Sequence, residues 1–384
     1  MRYRALLLFA VGAVALSGCG TSSTSPYGSS RTSSSSPPPI LSHALAGRFG
    51  SSGASLWVLS ESGLSTSDDG GLHWSAQILP NNLTAAAIAD VAEVPGRALW
   101  VAAPNDSGIH LFRLADSAST WTSSLLAPTW PARAGAAGPA DAVAITPGPG
   151  SLVTVTATIP NGTDGAFSSL FTSTDDGATF VEHAASPNSA ANVAWKHVLF
   201  ASAQSGILVA GADAATLLHS SDGGTSWSPV SLKGLAAATS YYLGNPVVVG
   251  SDVELPAINL PSNGAGASLS LLISHDGGLT FEVPAGSALD LGSAVNPVIA
   301  ARDTVTWVVP SSGGRVYETR DGGRSWAIVA GDGLPDGVSI VTLTGPSSAV
   351  ALVGVIGCPG FVPNCWTDAY VVMTSDGGRT WVAV

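Results

Sequence analysis

The sequence predicts an all-β fold, a seven-bladed β-propeller of four-stranded antiparallel blades, and three observations carry that expectation. An eight-residue pattern, Ser/Thr-x-Asp-x-Gly-x-Ser/Thr-Trp/Phe, recurs along the chain. The intervals between its copies match the length of one four-stranded unit. The composition, with 45 Gly, 25 Pro and 11 Trp in 384 residues, supplies turns and large apolar side chains rather than helix-forming runs.

Six copies of the octapeptide are plain: SDDGGLHW at 67–74, STDDGATF at 173–180, SSDGGTSW at 220–227, SHDGGLTF at 274–281, TRDGGRSW at 319–326 and TSDGGRTW at 374–381. Their acids are Asp69, Asp175, Asp222, Asp276, Asp321 and Asp376. The first interval, 175 − 69 = 106 residues, is roughly double the others. A decayed copy, LADSASTW at 114–121, fills it, keeping Asp116 and Trp121 but losing the glycines. The spacings then run 47, 59, 47, 54, 45 and 55, which gives seven units.

Each conserved type in the pattern has a local role. The Asp carboxylate accepts backbone N–H groups of its own turn. The glycines supply the positive φ of a tight hairpin. The closing aromatic residue (Trp74, Trp121, Phe180, Trp227, Phe281, Trp326 or Trp381) opens the next strand and buries a large apolar area between blades. The seven acids are therefore read as structural, not as metal or carbohydrate ligands.

Short β-branched and aromatic runs predict the second strand of each unit at 55–59, 98–102, 152–158, 207–211, 246–250, 305–309 and 349–355. First strands are predicted at 197–201 and 338–343. With strands A to D in each unit, the octapeptide is the C–D turn. Antiparallel strands alternate direction, so the A–B and C–D turns share one face. The B–C and D–A connections share the other, where function is expected. Long B–C connections are predicted at 159–166, 251–267 and 356–368. The candidate binding rim is Asp164, Asp252, Glu254, Arg133, Arg315, Asp336, Phe361 and Trp366. Residues 40–50 supply the first strand of the first blade, so the ring is expected to close without strand exchange.

The start of the chain is of another kind. Met1-Arg2-Tyr3-Arg4 is followed by an apolar run to Leu16, too short for a comfortable membrane span. It ends in Leu16-Ser17-Gly18-Cys19, which resembles the bacterial lipobox. That resemblance implies a lipoprotein signal peptide over 1–18 and a lipid anchor on Cys19, hence an extracytoplasmic, membrane-tethered chain. Residues 19–38 form a Ser/Pro-rich flexible tether, and 39–384 form the propeller. With Cys19 taken, Cys358 and Cys365 remain, an even pair that suggests a disulfide in an exported protein. A zinc site is the competing reading, with two ligands missing nearby. The net charge is −12, or −14 without Arg2 and Arg4, and only 14 residues are Lys or Arg. That balance argues against nucleic acid and against anionic lipid headgroups as partners.

The octapeptides resemble the Asp-box, or BNR repeat, of sialidases, sortilin-type receptors, some xyloglucan-active glycosidases and the photosystem II assembly-factor family. The resemblance covers nearly all of 40–384. It implies a blade and a place in the blade, but no activity. A sialidase would carry an Arg cluster and an Arg-Ile-Pro motif, and the motif is missing from this sequence. Arg48, Arg97 and Arg302 are predicted in A–B turns, Arg113 on a C strand, and Arg320, Arg324 and Arg379 in octapeptides. Only Arg133 and Arg315 approach the other rim. A glycosidase needs two carboxylates flanking one bond. Asp164, Asp252, Glu254, Asp332, Asp336 and Asp368 are the rim acids, and nothing in the sequence pairs two of them. Tyr241-Tyr242 lacks a paired acid and reads as packing. The seven His fall singly, and no cofactor fingerprint occurs. The sequence thus points to a non-catalytic binding or assembly module with a protein or polysaccharide partner. The alternative is a cell-surface glycoside hydrolase or lyase of sialidase-like fold.

Overall fold

The computed structural model describes residues 44–384, apart from 53–54, 61–62, 81–82, 95, 117, 130–139, 141, 161–165, 184–194, 212–215, 236–240, 250, 260–265, 287, 293–296, 303–304, 311–313 and 358–365. Strands form seven sheets in chain order. The first holds β1 (Ala44–Ser52), β2 (Ser55–Ser60), β3 (Gly63–Ser67) and β4 (Ser75–Gln77). The second holds β5 (Asp90–Val94), β6 (Ala98–Asn105), β7 (Gly108–Ala115) and β8 (Thr122–Leu126). The third holds β9 (Ala142–Pro147), β10 (Val153–Pro160), β11 (Ala166–Ser173) and β12 (Val181–His183). The fourth holds β13 (Trp195–Phe200), β14 (Gly206–Ala210), β15 (Thr216–Ser220) and β16 (Ser228–Pro229). The fifth holds β17 (Ser231–Lys233), β18 (Tyr241–Leu243), β19 (Val247–Val249), β20 (Asp252–Asn259), β21 (Ala267–Ser274), β22 (Thr280–Glu282) and β23 (Leu289–Gly292). The sixth holds β24 (Val298–Arg302), β25 (Val305–Val309), β26 (Arg315–Thr319) and β27 (Ala327–Ala330). The seventh holds β28 (Val338–Leu343), β29 (Ala349–Gly357), β30 (Trp366–Thr374) and β31 (Val382–Ala383).

Six of these sheets are four-stranded antiparallel blades of a β-propeller, so the expected uniform set of seven four-stranded blades is corrected. The fifth sheet is seven-stranded, and Pro256 explains part of the departure. It sits in β20 and has no N–H to give the inner strand. The inner strand is accordingly split opposite it, with Leu243 pairing Ala257 and Val247 pairing Glu254. The outer strand is also in two pieces, β22 and β23, and β17 runs parallel along β22.

Period-2 alternation explains why the second strands read as continuous apolar runs. In β2, Leu56 and Val58 pack against Val350 and Leu352 of the seventh sheet, while Trp57 and Leu59 pack against Val91 and Leu99 of the second. Both faces of the strand are buried, so neither needs polar residues. Among the described residues, five further seams of this kind join neighbours, such as Leu269 and Leu271 with Val308 and Tyr317, or Trp307 and Val316 with Val341 and Ala351. The first and seventh sheets meet by packing of β1 and β2 on β28 and β30, and each keeps its own four strands.

The perimeter is stitched as well. Segments that leave one outer strand run beside the outer strand of the next sheet. β17 does so along β22. Asp332 donates its N–H to Arg379 O and accepts the Trp381 N–H, both at the seventh sheet. Trp121 Nε1 donates to Ile78 O of the first sheet at 2.8 Å.

The fifth position of the octapeptide is a notch for the preceding sheet. A Cβ on Gly278 would lie 2.4 Å from Ile207 Cγ1 in the fourth sheet, and its φ is +98°. Gly70, one position earlier in another copy, has φ +73° with open space around it. Gly278→Ala is therefore expected to destabilise the ring by more than about 2 kcal/mol, from overpacking on top of backbone strain. Gly70→Ala is expected to cost only about 1–2 kcal/mol, the strain alone. Urea unfolding of the two variants checks the difference.

Candidate functional site

The octapeptide turns come first, because they decide which carboxylates are free. In the fourth sheet Ser220 Oγ donates to Asp222 Oδ1 at 2.8 Å and accepts the Gly224 N–H at 2.8 Å. Ser226 donates its N–H to Asp222 Oδ1 at 2.8 Å and its hydroxyl to Oδ2 at 2.6 Å. The same network surrounds Asp175, Asp276, Asp321 and Asp376. In the first copy His73 replaces the hydroxyl, with Nδ1 2.6 Å from Asp69 Oδ2. Hydroxyl donors hold Asp175, Asp321 and Asp376 down at about 2, and the His73 backbone N–H does so for Asp69. Asp222 is lowered chiefly by the Ser226 hydroxyl. For Asp276 burial pushes upward, and the Thr280 N–H and hydroxyl overcome it.

Backbone bonds tie these turns to the A–B turns of their own sheets: Asp176 N–H to Ser151 O, Gly223 N–H to Gln204 O, and Gly377 N–H to Ser347 O. The A–B and C–D turns thus share one face, here the octapeptide face. The closing aromatics go where the sequence places them, between sheets. Phe281 is fully buried, Trp381 meets Trp307 of the sixth sheet edge-on, and Trp227 packs on Trp195 and Phe200. Trp74, Trp121, Phe180 and Trp326 are partly buried against four other seams.

The decayed copy behaves differently. Among the described residues the Asp116 carboxylate forms none of these bonds, and its N–H donates to Arg97 O at 3.3 Å. A clamp to the next sheet stands beside it. Arg97 Nε donates to Asp176 Oδ1 at 2.8 Å, Arg97 also reaches Gly148 O at 3.2 Å, and Arg113 Nη2 donates to Asp176 Oδ2 at 3.2 Å. Asp176 occupies the position that is glycine in the other intact copies, and holds φ at +66°. The guanidinium of Arg97 lies over the fully buried Trp100 ring at 5.6 Å.

Several sequence-predicted rim residues move. Asp252 and Glu254 were expected in a long B–C loop. They lie instead in β20, at the end of the strand that meets the octapeptide face. Asp252 Oδ1 is 2.9 Å from His275 Nδ1 inside the fifth-sheet octapeptide. Glu254 is 6% exposed in the seam with the sixth sheet, where Thr306 Oγ1 donates to it at 2.5 Å. Burial pushes its carboxyl up, against the Thr306 bond. The predicted second strand at 246–250 is the inner strand β19. The other two long loops shorten because their hairpins continue, to Pro160 paired with Ala166 and to Gly357 paired with Trp366. Asp332 is drawn to the perimeter by its backbone bonds. Arg315 and Asp336 are exposed at the loop face, and Arg315 Nη1 is 3.5 Å from the Tyr317 hydroxyl. Asp164, Arg133, Phe361, Cys19, Cys358 and Cys365 lie outside the described residues, as does the side chain of Trp366.

The structure brings together a group that sequence reasoning missed, at the loop-face end of the inner strands of the fourth and fifth sheets. A register shift between Trp195 and His197 places Lys196 in a bulge, a device that re-aims a side chain. Lys196 Nζ lies 4.8 Å from the centroid of the Tyr242 ring. Tyr242 and Val248 are the two large apolar side chains of the fifth sheet's inner strand left exposed, at 39% and 37%. Burial, with the Lys196 charge adding, pushes His197 down to about 4, so its ring is neutral where Lys196 is charged. Asn259, paired with Tyr241 across β18 and β20, has a buried Oδ1 that meets no hydrogen-bond donor among the described residues. The Tyr241-Tyr242 doublet was the available signal. Its partner is 46 residues away, 242 − 196, and no periodicity links them.

No known protein family matches the chain, and no curated protein does. Solved structures do. YCF48 from Cyanidioschyzon merolae is 14% identical, with 88% of this chain and 97% of that one covered and a TM-score of 0.50. The Cps50 (Swd1) β-propeller domain from Myceliophthora thermophila is 12% identical, with 87% and 99% covered and a TM-score of 0.51. An α-L-arabinofuranosidase of Fusarium graminearum is 13% identical over 76% of this chain and 95% of its own, with a TM-score of 0.44. Likeness at this level bears on the propeller fold alone.

Two outcomes follow for the octapeptide face. Asp176→Gly relieves a positive φ, yet strands two guanidinium groups. Net destabilisation of about 1–3 kcal/mol is expected in urea; a neutral or stabilised variant would show the clamp to be idle. The second concerns acid. The turn carboxylates have folded values below their unfolded value of 3.8. Their contribution is whole above that value and is lost as pH falls through it toward about 2. The melting temperature is expected to fall steeply over that window, and less steeply in Asp321→Asn.

Proposed function

We propose that this chain is a non-catalytic binding or assembly module, held outside the cytoplasmic membrane by a lipid on Cys19, that offers its loop face to a protein or polysaccharide partner. The observation that carries the reading is the contrast between the two faces. On the octapeptide face, six turn carboxylates are consumed by their own hydrogen bonds. On the loop face, the Lys196–Tyr242 pair stands partly open at the inner strands, near Asn259, whose buried Oδ1 has no donor among the described residues. An aromatic ring with one wet edge and a cation beside it suits recognition better than packing. We read the seven-stranded sheet as the enlarged fifth unit of a seven-unit ring, the octapeptides as Asp-boxes, and Cys358 with Cys365 as a disulfide that staples a rim hairpin.

The test uses the chain from Cys19 to Val384, immobilised and exposed to solubilised envelope proteins and to envelope polysaccharides in turn. One retained component is expected. Tyr242→Ala and Lys196→Ala should each weaken its retention by about tenfold, the range of a partly desolvated contact. Asp222→Ala should lower the unfolding free energy by about 1–2 kcal/mol through lost turn bonds and leave retention unchanged. Retention lost in Asp222→Ala at full stability, and kept in Tyr242→Ala, would reverse the assignment of the faces.

A further inference from the structure

A carboxylate stays charged inside a protein only if enough donors meet it. In the octapeptides the supply is ample: Asp222 takes the hydroxyls of Ser220 and Ser226 and the Ser226 N–H. Glu254 is placed otherwise. In β20, Leu255 and Ala257 pack toward the fourth sheet, so alternation sends Glu254, like Ile258, toward the sixth. Its side chain is buried there. Among the described residues it takes one donor, the hydroxyl of Thr306 in β25, itself buried.

The surroundings are apolar. Val247 and Ile273 flank Glu254 in register on the same face of the sheet. Ile273, Val308 and Tyr317 belong to the seam it enters. The charged groups near it have other partners or stand in water. Asp252, one step nearer the octapeptide face, points the same way and meets His275 Nδ1 at 2.9 Å. Glu282, beyond Ile273 on the outer strand, is exposed. From the sixth sheet, Arg302 turns away to Leu343 O at 3.3 Å, Glu318 takes Trp307 Nε1 and Arg320, and Arg315 lies beside the Tyr317 hydroxyl. Asp321 and Arg324 bond within their own turn. Asp303 lies outside the described residues.

We propose that Glu254 is a pH-responsive latch between the fifth and sixth sheets. As the neutral acid it closes the seam on Thr306. As the carboxylate, its proton passed to solvent, it draws water into the octapeptide end of the seam and frees β19 from β24. The seam yields at β19 because that inner strand is three residues long and severed from β18 opposite Pro256. It pairs Val247 with Glu254 and packs on β24. This device depends on neither the lipid anchor nor a partner.

The direction of the response follows from the surroundings. Burial pushes the Glu254 carboxyl above its unfolded value of 4.5, the Thr306 hydroxyl pulls it back in part, and the Asp252 charge adds to the rise. The latch is therefore whole below 4.5 and is lost as pH rises through the folded value.

Hydrogen exchange on the full chain, from about pH 4 to about pH 9 and corrected for the intrinsic rate, tests this. A local readout is needed because Glu93, in the seam of the first and second sheets, is pushed up to about 7 by burial and would add to any global pH profile. Protection of β25 is expected to fall about tenfold relative to β10 as pH rises. In Glu254→Gln it should stay level. In Asp252→Asn, which removes the neighbouring charge, the fall should be smaller and should flatten at a lower pH. A wild-type β25 that tracks β10 throughout overturns the latch. So does a Glu254→Gln profile that falls like the wild type. If Glu254→Gln does not fold, Asp252→Asn decides, and an unchanged profile there overturns the proposal.

Discussion

The constraint on which everything else depends is that each sheet is apolar on both faces. A sheet with one apolar face can rest on a single neighbour; one with two must be flanked on both sides. In β2 the alternation sends Leu56 and Val58 one way and Trp57 and Leu59 the other. Repeated from sheet to sheet, that demand leaves no end exposed, and a ring satisfies it. The octapeptide sets the spacing of the ring. Its glycine at the fifth position admits a large side chain of the preceding sheet, as Ile207 is admitted at Gly278. Its aspartate holds the turn rigid enough to keep that notch open.

The second sheet shows what happens when the turn decays. Among the described residues Asp116 has no such network, and a different contact supports the seam with the third sheet. Arg97 and Arg113 converge on Asp176, a carboxylate where the other intact copies have glycine. The pair of cations and the positive φ of Asp176 are two sides of one substitution. The backbone cost is offset by charge-assisted bonds across the seam.

How much of this was legible in the sequence follows from the range of each signal. The octapeptides are local, and their C–D position and even the decayed copy could be read from spacing. Strands such as β25 and β28 are read from the sequence at their observed bounds, because short runs rich in β-branched residues mark them. The fifth sheet failed for a physical reason. Pro256 and Glu254 disguise β20 as a loop, since proline argues against a central strand and a charge against a buried one. The strand forms because Val253, Leu255 and Ala257 fill one seam and Ile258 the next. That single error also moved Asp252 and Glu254 to the wrong face. Lys196 with Tyr242 was illegible because contact between adjacent inner strands leaves no pattern in the chain.

Under the proposed function, the octapeptide face holds the ring together and the loop face meets a partner. Photo-crosslinking in intact envelope membranes examines that division most directly. A benzophenone-bearing phenylalanine is placed at Tyr242 in one chain and at Leu72 in another, and both are irradiated. A discrete adduct from position 242 and none from position 72 is the expected result. An adduct from position 72 alone would contradict the proposed function, because the octapeptide face would then be the one in use.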